Sequence, residues 1–463
     1  MKRILLAGLA GVLGGCASLV PPPEQPAAGL RDSFRVGTAE PPLADPATAS
    51  EWDGFFADER LRSVVGLALA GNRSLRAGVA AVERARAQYG ISRAARLPEV
   101  DATASAGRQQ GAGSTVNASG SYSVALGLAA WEIDLFNRVG SLEGAALARF
   151  LAQQETQQGA RLALVAGVAD AWLTLAAERE RLRLAGQLRD SQRRTLDLTE
   201  RQAELGAASG LQRARAQTAF EAARGEAARS AAAVLQARLA LEMLAGQPLS
   251  ESLLPTGLAG SATALPEIPG DMPAAVLLQR PDLRAAEQRL QAAAFDVGAA
   301  RAARFPRLTL TASAGTRSAD LDGLFQPGSS IWSLLPRLDL PLFDGGARRA
   351  QVEASQATRR EALALYESAL QSAFREVADA LAVRDSLTER LASQQAQAEA
   401  AQRSLDLAGR SYRLGGASQL ELLDAQRQLT AAQQGLVSLR QTEQANRVTL
   451  LRALGGRWTP PPS

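Results

Sequence analysis

The sequence contains no histidine, and its single cysteine, Cys16, lies near the start of the chain. These two absences remove the common zinc ligand sets, the histidine-dependent catalytic triads and any internal disulfide bond. Carboxylate pairs remain available, but no glycine-rich phosphate-binding loop accompanies them. Aromatic residues make up only 4% of the chain, and no basic run is interleaved with them. The sequence therefore predicts no enzyme, no cofactor and no bound nucleic acid.

Long hydrophobic runs are also scarce. An apolar stretch follows Lys2 and Arg3 and ends in the tetrapeptide LGGC at Cys16, and it is too short to span a bilayer. This segment resembles a bacterial lipoprotein signal. We expect residues 1–15 to be removed and Cys16 to be acylated and inserted into lipid; an ordinary secretory peptide is the alternative. Ala17 then favours the outer membrane by the sorting rules of lipoproteins. No later apolar run approaches 18 residues, which predicts no membrane-spanning helix.

The rest of the chain is duplicated. RAARLPEVDATASAG at 93–107 and RAARFPRLTLTASAG at 301–315 are identical at ten of fifteen positions. A shared proline and a shared TASAG segment make chance alanine-rich similarity a poor explanation. We predict two repeats, 74–246 and 282–455, each with the order helix, strand, strand, long helix, glycine break and return helix.

The predicted segments follow from proline positions and residue periodicity. In the first repeat they are two strands, a long helix, a tip and a return helix, at about 98–108, 120–136, 138–204, 205–210 and 210–246. In the second repeat the same elements fall at about 307–317, 331–343, 346–413, 414–418 and 418–455. Outside the repeats we expect a proline-rich tether, an N-terminal helical segment, an inter-repeat segment and a C-terminal tail, at 16–50, 51–73, 247–281 and 456–463.

Each long helix would extend about 100 Å at 1.5 Å per residue. Apolar residues recur along both helices at coiled-coil spacing, which predicts helix–helix packing rather than chemistry. These residues are Val165, Val168, Trp172, Leu175 and Leu182 in the first repeat, and Tyr366, Leu370, Phe374, Val377 and Leu381 in the second.

The strands alternate between apolar residues and small polar residues, as in membrane β-barrels. A soluble antiparallel sheet gives the same pattern, so the barrel is favoured only in combination with the outer-membrane signal. Pro336 and Pro341 remove backbone donors and predict a bend or bulge in the fourth strand.

Four strands alone would leave unpaired edges in lipid, so copies of the chain must close the barrel. Eight strands are normally filled by side chains, whereas twelve leave a pore. We therefore predict a homotrimer.

Several segments resemble the TolC family of outer-membrane efflux proteins, in the lipoprotein branch that works with resistance–nodulation–division pumps. The segments that carry this resemblance occupy 55–78, 277–315, 340–355 and 410–429. The resemblance implies a mainly α-helical fold with a transmembrane β-barrel, in which a homotrimeric 12-stranded barrel continues into a 12-helix tunnel. It also implies two partners, a periplasmic adaptor (membrane fusion) protein and an inner-membrane pump of the resistance–nodulation–division type.

Glu421 and Asp424 follow the second glycine break at positions i and i+3, and therefore lie on one helix face. The resemblance implies that they form the periplasmic constriction of the channel, as rings of three carboxylates that favour cations. An ordinary solvated helix face is the alternative. The first repeat has Gln212 and Arg215 at the corresponding positions, so an acidic ring would belong to the second repeat alone.

The resemblance also assigns tip and adaptor-contact residues. These are Leu205, Gly206, Ala207, Ser209, Tyr412, Leu414, Gly415, Gly416 and Ser418. Tyr412 matches a tyrosine that helps to hold the closed tip, but Ala417 and Gln212 replace its expected arginine and aspartate partners. Arg215 and Arg410 are the candidates for substitute tip bonds.

Two other functions fit parts of the sequence. The same architecture could serve a type I protein or peptide secretion system. A periplasmic coiled-coil scaffold without a pore would explain the helices but would give the alternating strands no role.

Overall fold

The computed structural model describes residues 19–22, 55–109, 119–258 and 274–456. Cys16, most of the tether and the C-terminal tail lie outside these ranges. The chain forms seven α-helices and four strands within them. They are α1 Glu59–Gly71, α2 Arg73–Ala94, β1 Val100–Gln109, β2 Ser119–Ile133, α3 Arg138–Glu204, α4 Gly210–Ala245, α5 Pro281–Ala302, β3 Arg307–Ser318, β4 Ser330–Asp339, α6 Ala347–Arg413 and α7 Gln419–Ala453. The order helix, strand, strand, long helix and return helix occurs twice, as predicted.

The strands belong to a unit that comprises residues 19–22, 80–109, 119–156 and 284–369 of the described chain. They make one antiparallel sheet in the order β1-β2-β3-β4. The register places Ala102, Leu126, Ala314 and Trp332 in one row across the sheet. Because side chains alternate along a strand, this register collects the larger apolar residues on one face. The opposite face is mostly small and polar, and serine hydroxyls pair across strands at 2.8 Å in both hairpins.

The irregularity in the sheet lies in β2. The fourth strand has no bulge, although the chain bends at Leu342, directly after Pro341. β4 pairs with β3 through Pro336 without a register shift, and it ends at Asp339, before Pro341. An edge strand can carry a proline whose missing N–H would point away from the sheet. The register instead shifts between Leu128 and Trp131. Ala130 there has a φ of 46° and donates its N–H to Thr311 Oγ1 at 3.2 Å, which is a bulge.

A network of charged residues fixes the start of α3 beneath β2. Asp134 accepts hydrogen bonds from the backbone N–H groups of Arg138 at 2.6 Å and Gly140 at 2.8 Å. Glu132, at the end of β2, binds Arg138 at 2.6 Å and Arg307 of β3 at 2.7 Å. Capping and ion pairing together fix the first turn of the helix beside the end of the strand that precedes it.

The second unit contains residues 55–79, 157–258, 274–283 and 370–456 of the described chain. Its main core joins α1, α3, α4, the end of α7 and the start of the inter-repeat segment. It includes Phe56, Leu61, Val168, Trp172, Leu241, Leu254 and Leu451. Most of the predicted coiled-coil stripe is buried. Leu182 and Phe374 are only partly buried.

Polar side chains line the contact between α3 and α7. Gln192 donates to Gln426 at 2.8 Å, and Gln419 donates to Thr199 at 3.4 Å. On its other side α7 contacts α6, where Gln394 donates to the Ala432 carbonyl at 3.0 Å. The four long helices that enter this unit therefore follow the order α4, α3, α7, α6. Within the described part of the chain, α4 and α6 are the outer helices of this row.

One helix, α3, is long and apolar enough by composition to cross a membrane, with a window of mean hydropathy 1.5. The expectation of no membrane-spanning helix stays a prediction, because this window passes on its average hydropathy and holds no uninterrupted apolar run of 18 residues. That expectation considered uninterrupted apolar runs, whereas many alanines can raise the mean hydropathy of a segment that also contains charged residues. Half of the window is buried inside the protein, as in the core helix of a soluble domain.

Candidate functional site: the two helix reversals

The long helices α3 and α6 both end in the same backbone motif. Gly206 has a φ of 72°, its N–H donates to the Ala203 carbonyl at 3.0 Å, and the next N–H donates to the Gln202 carbonyl at 2.7 Å. Gly415 repeats this arrangement with a φ of 77°. Its N–H donates to the Tyr412 carbonyl at 3.1 Å, and the N–H of Gly416 donates to the Ser411 carbonyl at 2.9 Å. This is the Schellman ending, which favours glycine because the left-handed conformation is strained for other residues.

The return helices α4 and α7 also begin alike, with reciprocal capping boxes. Ser209 Oγ accepts from the N–H of Gln212 at 3.2 Å, and Gln212 Oε1 accepts from the N–H of Ser209 at 2.7 Å. Ser418 and Glu421 form the same two bonds at 3.2 and 2.6 Å. Glu421 therefore has a structural role that the sequence analysis missed. The signal was available, since Ser-x-x-Gln and Ser-x-x-Glu are capping-box patterns.

Replacing Ser418 by alanine is expected to weaken the start of α7 by about 1 kcal/mol, because one backbone donor loses its acceptor. Hydrogen exchange at the first amides of α7 should become faster by about fivefold, the factor that corresponds to this free energy. Ser418→Asp restores an acceptor and serves as the control. Equal exchange in the alanine variant and the wild-type protein would contradict this role.

Glu421 and Asp424 lie on the exposed side of α7, while the intervening Leu422 and Leu423 are buried. Asp424 accepts from Gln428 at 2.7 Å and pairs with Arg427 at 3.2 Å. Both carboxylates line an open groove between the end of α6 and the start of α7. No cluster of acidic or cysteine side chains within the described ranges could hold a metal ion. The local chemistry is therefore a pair of neighbouring, solvent-facing negative charges.

The remaining tip residues are solvent-facing or serve the backbone turn. Leu205 and Leu414 occupy matching positions in the two reversals and are 83% and 87% exposed. The carbonyls of Arg410 and Tyr412 accept turn hydrogen bonds. Within the described part of one chain, the side chains of Arg215 and Arg410 make no hydrogen bond or ion pair. That these arginines form tip bonds therefore stays a prediction, and within the proposed trimer such bonds would have to reach a neighbouring chain.

The chain is similar to known proteins along nearly its whole length. The family model for outer membrane efflux proteins matches residues 64–247 and 272–456, one match to each repeat. Outer membrane protein OprJ of Pseudomonas aeruginosa is 40% identical over 455 residues, which span 97% of this chain and 95% of OprJ. The toluene efflux pump outer membrane protein TtgC of Pseudomonas putida is 38% identical, over 98% of this chain and 95% of that protein.

Solved structures share the fold. A membrane protein from Pseudomonas aeruginosa has a TM-score of 0.88 at 39% identity, covering 96% of this chain and 98% of that one. The open state of the MtrE outer membrane channel of Neisseria gonorrhoeae has a TM-score of 0.85 at 35% identity, covering 95% of this chain and 98% of that one.

Proposed function

The chain belongs to the outer membrane efflux protein family. From this premise we propose that three copies together form the continuous wall of one channel for drugs or other small toxic solutes. As a family member, it is the outer-membrane channel of an efflux pump and is not an enzyme. The trimer, the lipid anchor, the constriction and the pump partners are the parts that we propose.

The open edges of both units support a trimer. The sheet ends in β1 on one side and β4 on the other, and one of its faces exposes Leu126, Trp332 and Leu338. In lipid such edges must be paired, and apolar residues must face the hydrocarbon. The helix row likewise ends in α4, where Leu235, Leu239 and Met243 are exposed at four-residue spacing. Copies of the same chain can cover all of these surfaces at once, and twelve strands leave room for a pore.

We propose that the two reversals contact a periplasmic adaptor and that an inner-membrane pump delivers the solute. The matching exposed leucines at the reversals support a repeated apolar docking surface. The relatives are named as components of antibiotic, toluene and solvent efflux pumps, which favours efflux over type I secretion. An adaptor that never cross-links to cysteines at positions 205 and 414 in cells would contradict this assignment.

The test of the channel is direct. The purified, acylated protein in detergent should have the molar mass of a trimer by light scattering. It should also produce conductance steps in planar bilayers. Deletion of the gene should increase susceptibility to drugs or solvents. A monomeric protein that is electrically silent would refute the proposal, and trimers that conduct without any susceptibility change would redirect it to secretion.

The segment that follows the proposed acylation site is held against α5 and α6. Arg301 donates to the Leu19 carbonyl at 3.1 Å, and Arg359 donates to the Pro22 carbonyl at 2.8 Å. Gly298 leaves the space for Val20, because a Cβ at this position would lie 2.6 Å from the Val20 Cγ2. These contacts support an anchor whose chain is fixed within a few residues of Cys16.

Gly298→Val is expected to displace residues 19–22 and to accelerate amide hydrogen exchange at Leu19 and Val20, the two of these residues that have an N–H, about fivefold or more. The added side chain would overlap Val20, and such overpacking typically costs about 1–3 kcal/mol. The matched control is Gly90→Val, because Gly90 also lies in a helix but has open space around its Cβ position. Unchanged exchange in Gly298→Val would refute the docking of this segment.

A further inference from the structure

An aromatic contact joins the two repeats within one chain, at the base of the sheet. The rings of Phe136 and Phe305 stack with centroids 4.6 Å apart and an angle of 17° between their planes. Phe136 lies between β2 and α3, and Phe305 lies between α5 and β3. The contact therefore links the end of the second strand to the start of the third.

Each partner of this contact has an equivalent in the other repeat. The pair Leu135-Phe136 recurs as Leu342-Phe343, and the sequence Arg-Phe-Pro around Phe305 recurs as Arg-Leu-Pro around Leu97. Phe343 thus corresponds to Phe136, and Leu97 corresponds to Phe305. Neither residue is covered in one chain, since Phe343 is 92% exposed and Leu97 is 69% exposed.

Phe343 and Leu97 belong to the two open edges of the sheet. Phe343 follows β4, and Leu97 precedes β1. We propose that Phe343 of each copy packs on Leu97 of the neighbouring copy, reproducing between subunits the contact that Phe136 and Phe305 make within one. This inference rests on the trimeric channel proposed above and assigns the residues of its subunit junction.

The charges at the two edges also complement each other, although through different residues. Inside one chain, Glu132 of β2 binds Arg307 of β3, and the equivalent positions are Asp339 and Glu99, which carry the same sign. Arg337 lies on β4 two residues before Asp339 and is exposed, paired with Asp339 at 3.0 Å. A β1 edge that carries Glu99 and Asp101 gives Arg337 two further acidic partners besides Asp339.

The decisive experiment uses cysteine pairs and a short bifunctional thiol reagent. Phe343→Cys and Leu97→Cys are produced on differently tagged chains and co-expressed, and cross-linking should yield a covalent dimer that carries both tags. The matched pair Phe136→Cys with Phe305→Cys, placed in one chain, should cross-link within the monomer. Each single variant alone controls for reaction through Cys16.

A second measurement does not depend on the geometry of the reagent. Phe343→Asp is expected to reduce the yield of trimer at least fivefold, whereas Phe343→Leu should retain it. Phe325→Asp is the control, because Phe325 is 77% exposed in the β3–β4 connection and lies outside the proposed junction. Its trimer yield should match that of the wild-type protein.

The outcomes separate this inference from the channel itself. A trimer that forms without a 343–97 cross-link, or that tolerates Phe343→Asp, would overturn the junction and leave the channel intact. A wild-type protein that forms no trimer would overturn both. The two-tag dimer, together with selective loss of trimer in Phe343→Asp, would establish the junction.

Discussion

Replacing Trp172 by alanine is expected to reduce the free energy of unfolding of the helical unit by about 3–5 kcal/mol. Trp172 is 2% exposed and sits in the core cluster among residues of α1, α3 and α4. Its indole N–H donates to the Leu253 carbonyl at 3.4 Å, and the Arg60 guanidinium lies 5.8 Å from the ring centroid. Truncation removes the apolar contacts, leaves a cavity and leaves the partly buried Leu253 carbonyl without its donor.

The measurement is a urea titration of the detergent-solubilised protein, followed by the circular dichroism of its helices. Trp172→Phe is the matched control, since it keeps most of the ring but loses the indole hydrogen bond, and it should cost about 1 kcal/mol. A loss below about 1 kcal/mol in the alanine variant, well under the usual range for such a truncation, would show that the core can collapse around the missing ring.

Trp172 also illustrates what the sequence predicts well. Two long segments lack proline, are rich in helix-forming residues and carry apolar residues at coiled-coil spacing, so local propensity and burial favour the same structure. The internal duplication then fixes the order of elements in the second repeat once the first has been read. For these reasons the two-repeat, mainly helical fold could be predicted from the sequence alone.

Other features depend on tertiary contacts that the sequence does not display. The bulge at Ala130 has no glycine or proline to mark it, whereas Pro336, which carries such a mark, sits in a regular edge strand. Gln192 and Gln426 are buried partners, yet glutamine in a long helix normally lies on the surface. Only the packing of α3 against α7 distinguishes these two residues from the exposed glutamines.

The two helix reversals were predictable only in part from the sequence. Their glycines and acids are visible in the sequence, but the resemblance predicts only an electrostatic role for Glu421, and the capping bonds appear in the structure. The equivalent Gln212 makes the same capping bonds without a charge, so the geometry of the turn and the electrostatics of the tip are separate properties. This separation makes a charge test of the proposed constriction possible.

Glu421→Gln combined with Asp424→Asn is expected to lower the cation-to-anion permeability ratio about tenfold or more, the lower end of the ion accumulation that clefts of one charge sign produce. In the proposed trimer the double variant removes two rings of carboxylates at the narrow end of the pore. Glutamine can keep the capping box, as Gln212 shows, and asparagine can still accept from Gln428. Reversal potentials in asymmetric salt, measured in planar bilayers, give the ratio.

Two comparisons separate charge from structure in this test. Glu421→Ala removes both the charge and the cap, so it should lose selectivity like Glu421→Gln but should also accelerate hydrogen exchange at the start of α7. The selectivity difference should shrink at high salt, because screening at 1 M shortens the Debye length to about 3 Å. A selectivity that is unchanged in the double variant would return both acids to the alternative of an ordinary solvated helix face.

Arg427 supplies a test with the opposite sign. Its guanidinium lies 3.2 Å from the Asp424 carboxylate and offsets part of the negative charge of the proposed ring. Arg427→Gln should therefore raise the cation preference and the cation conductance, while Asp424→Asn lowers both. Structural damage at the tip would change the cation preference of both variants in the same direction. An electrostatic filter requires the cation preference to rise in Arg427→Gln and to fall in Asp424→Asn.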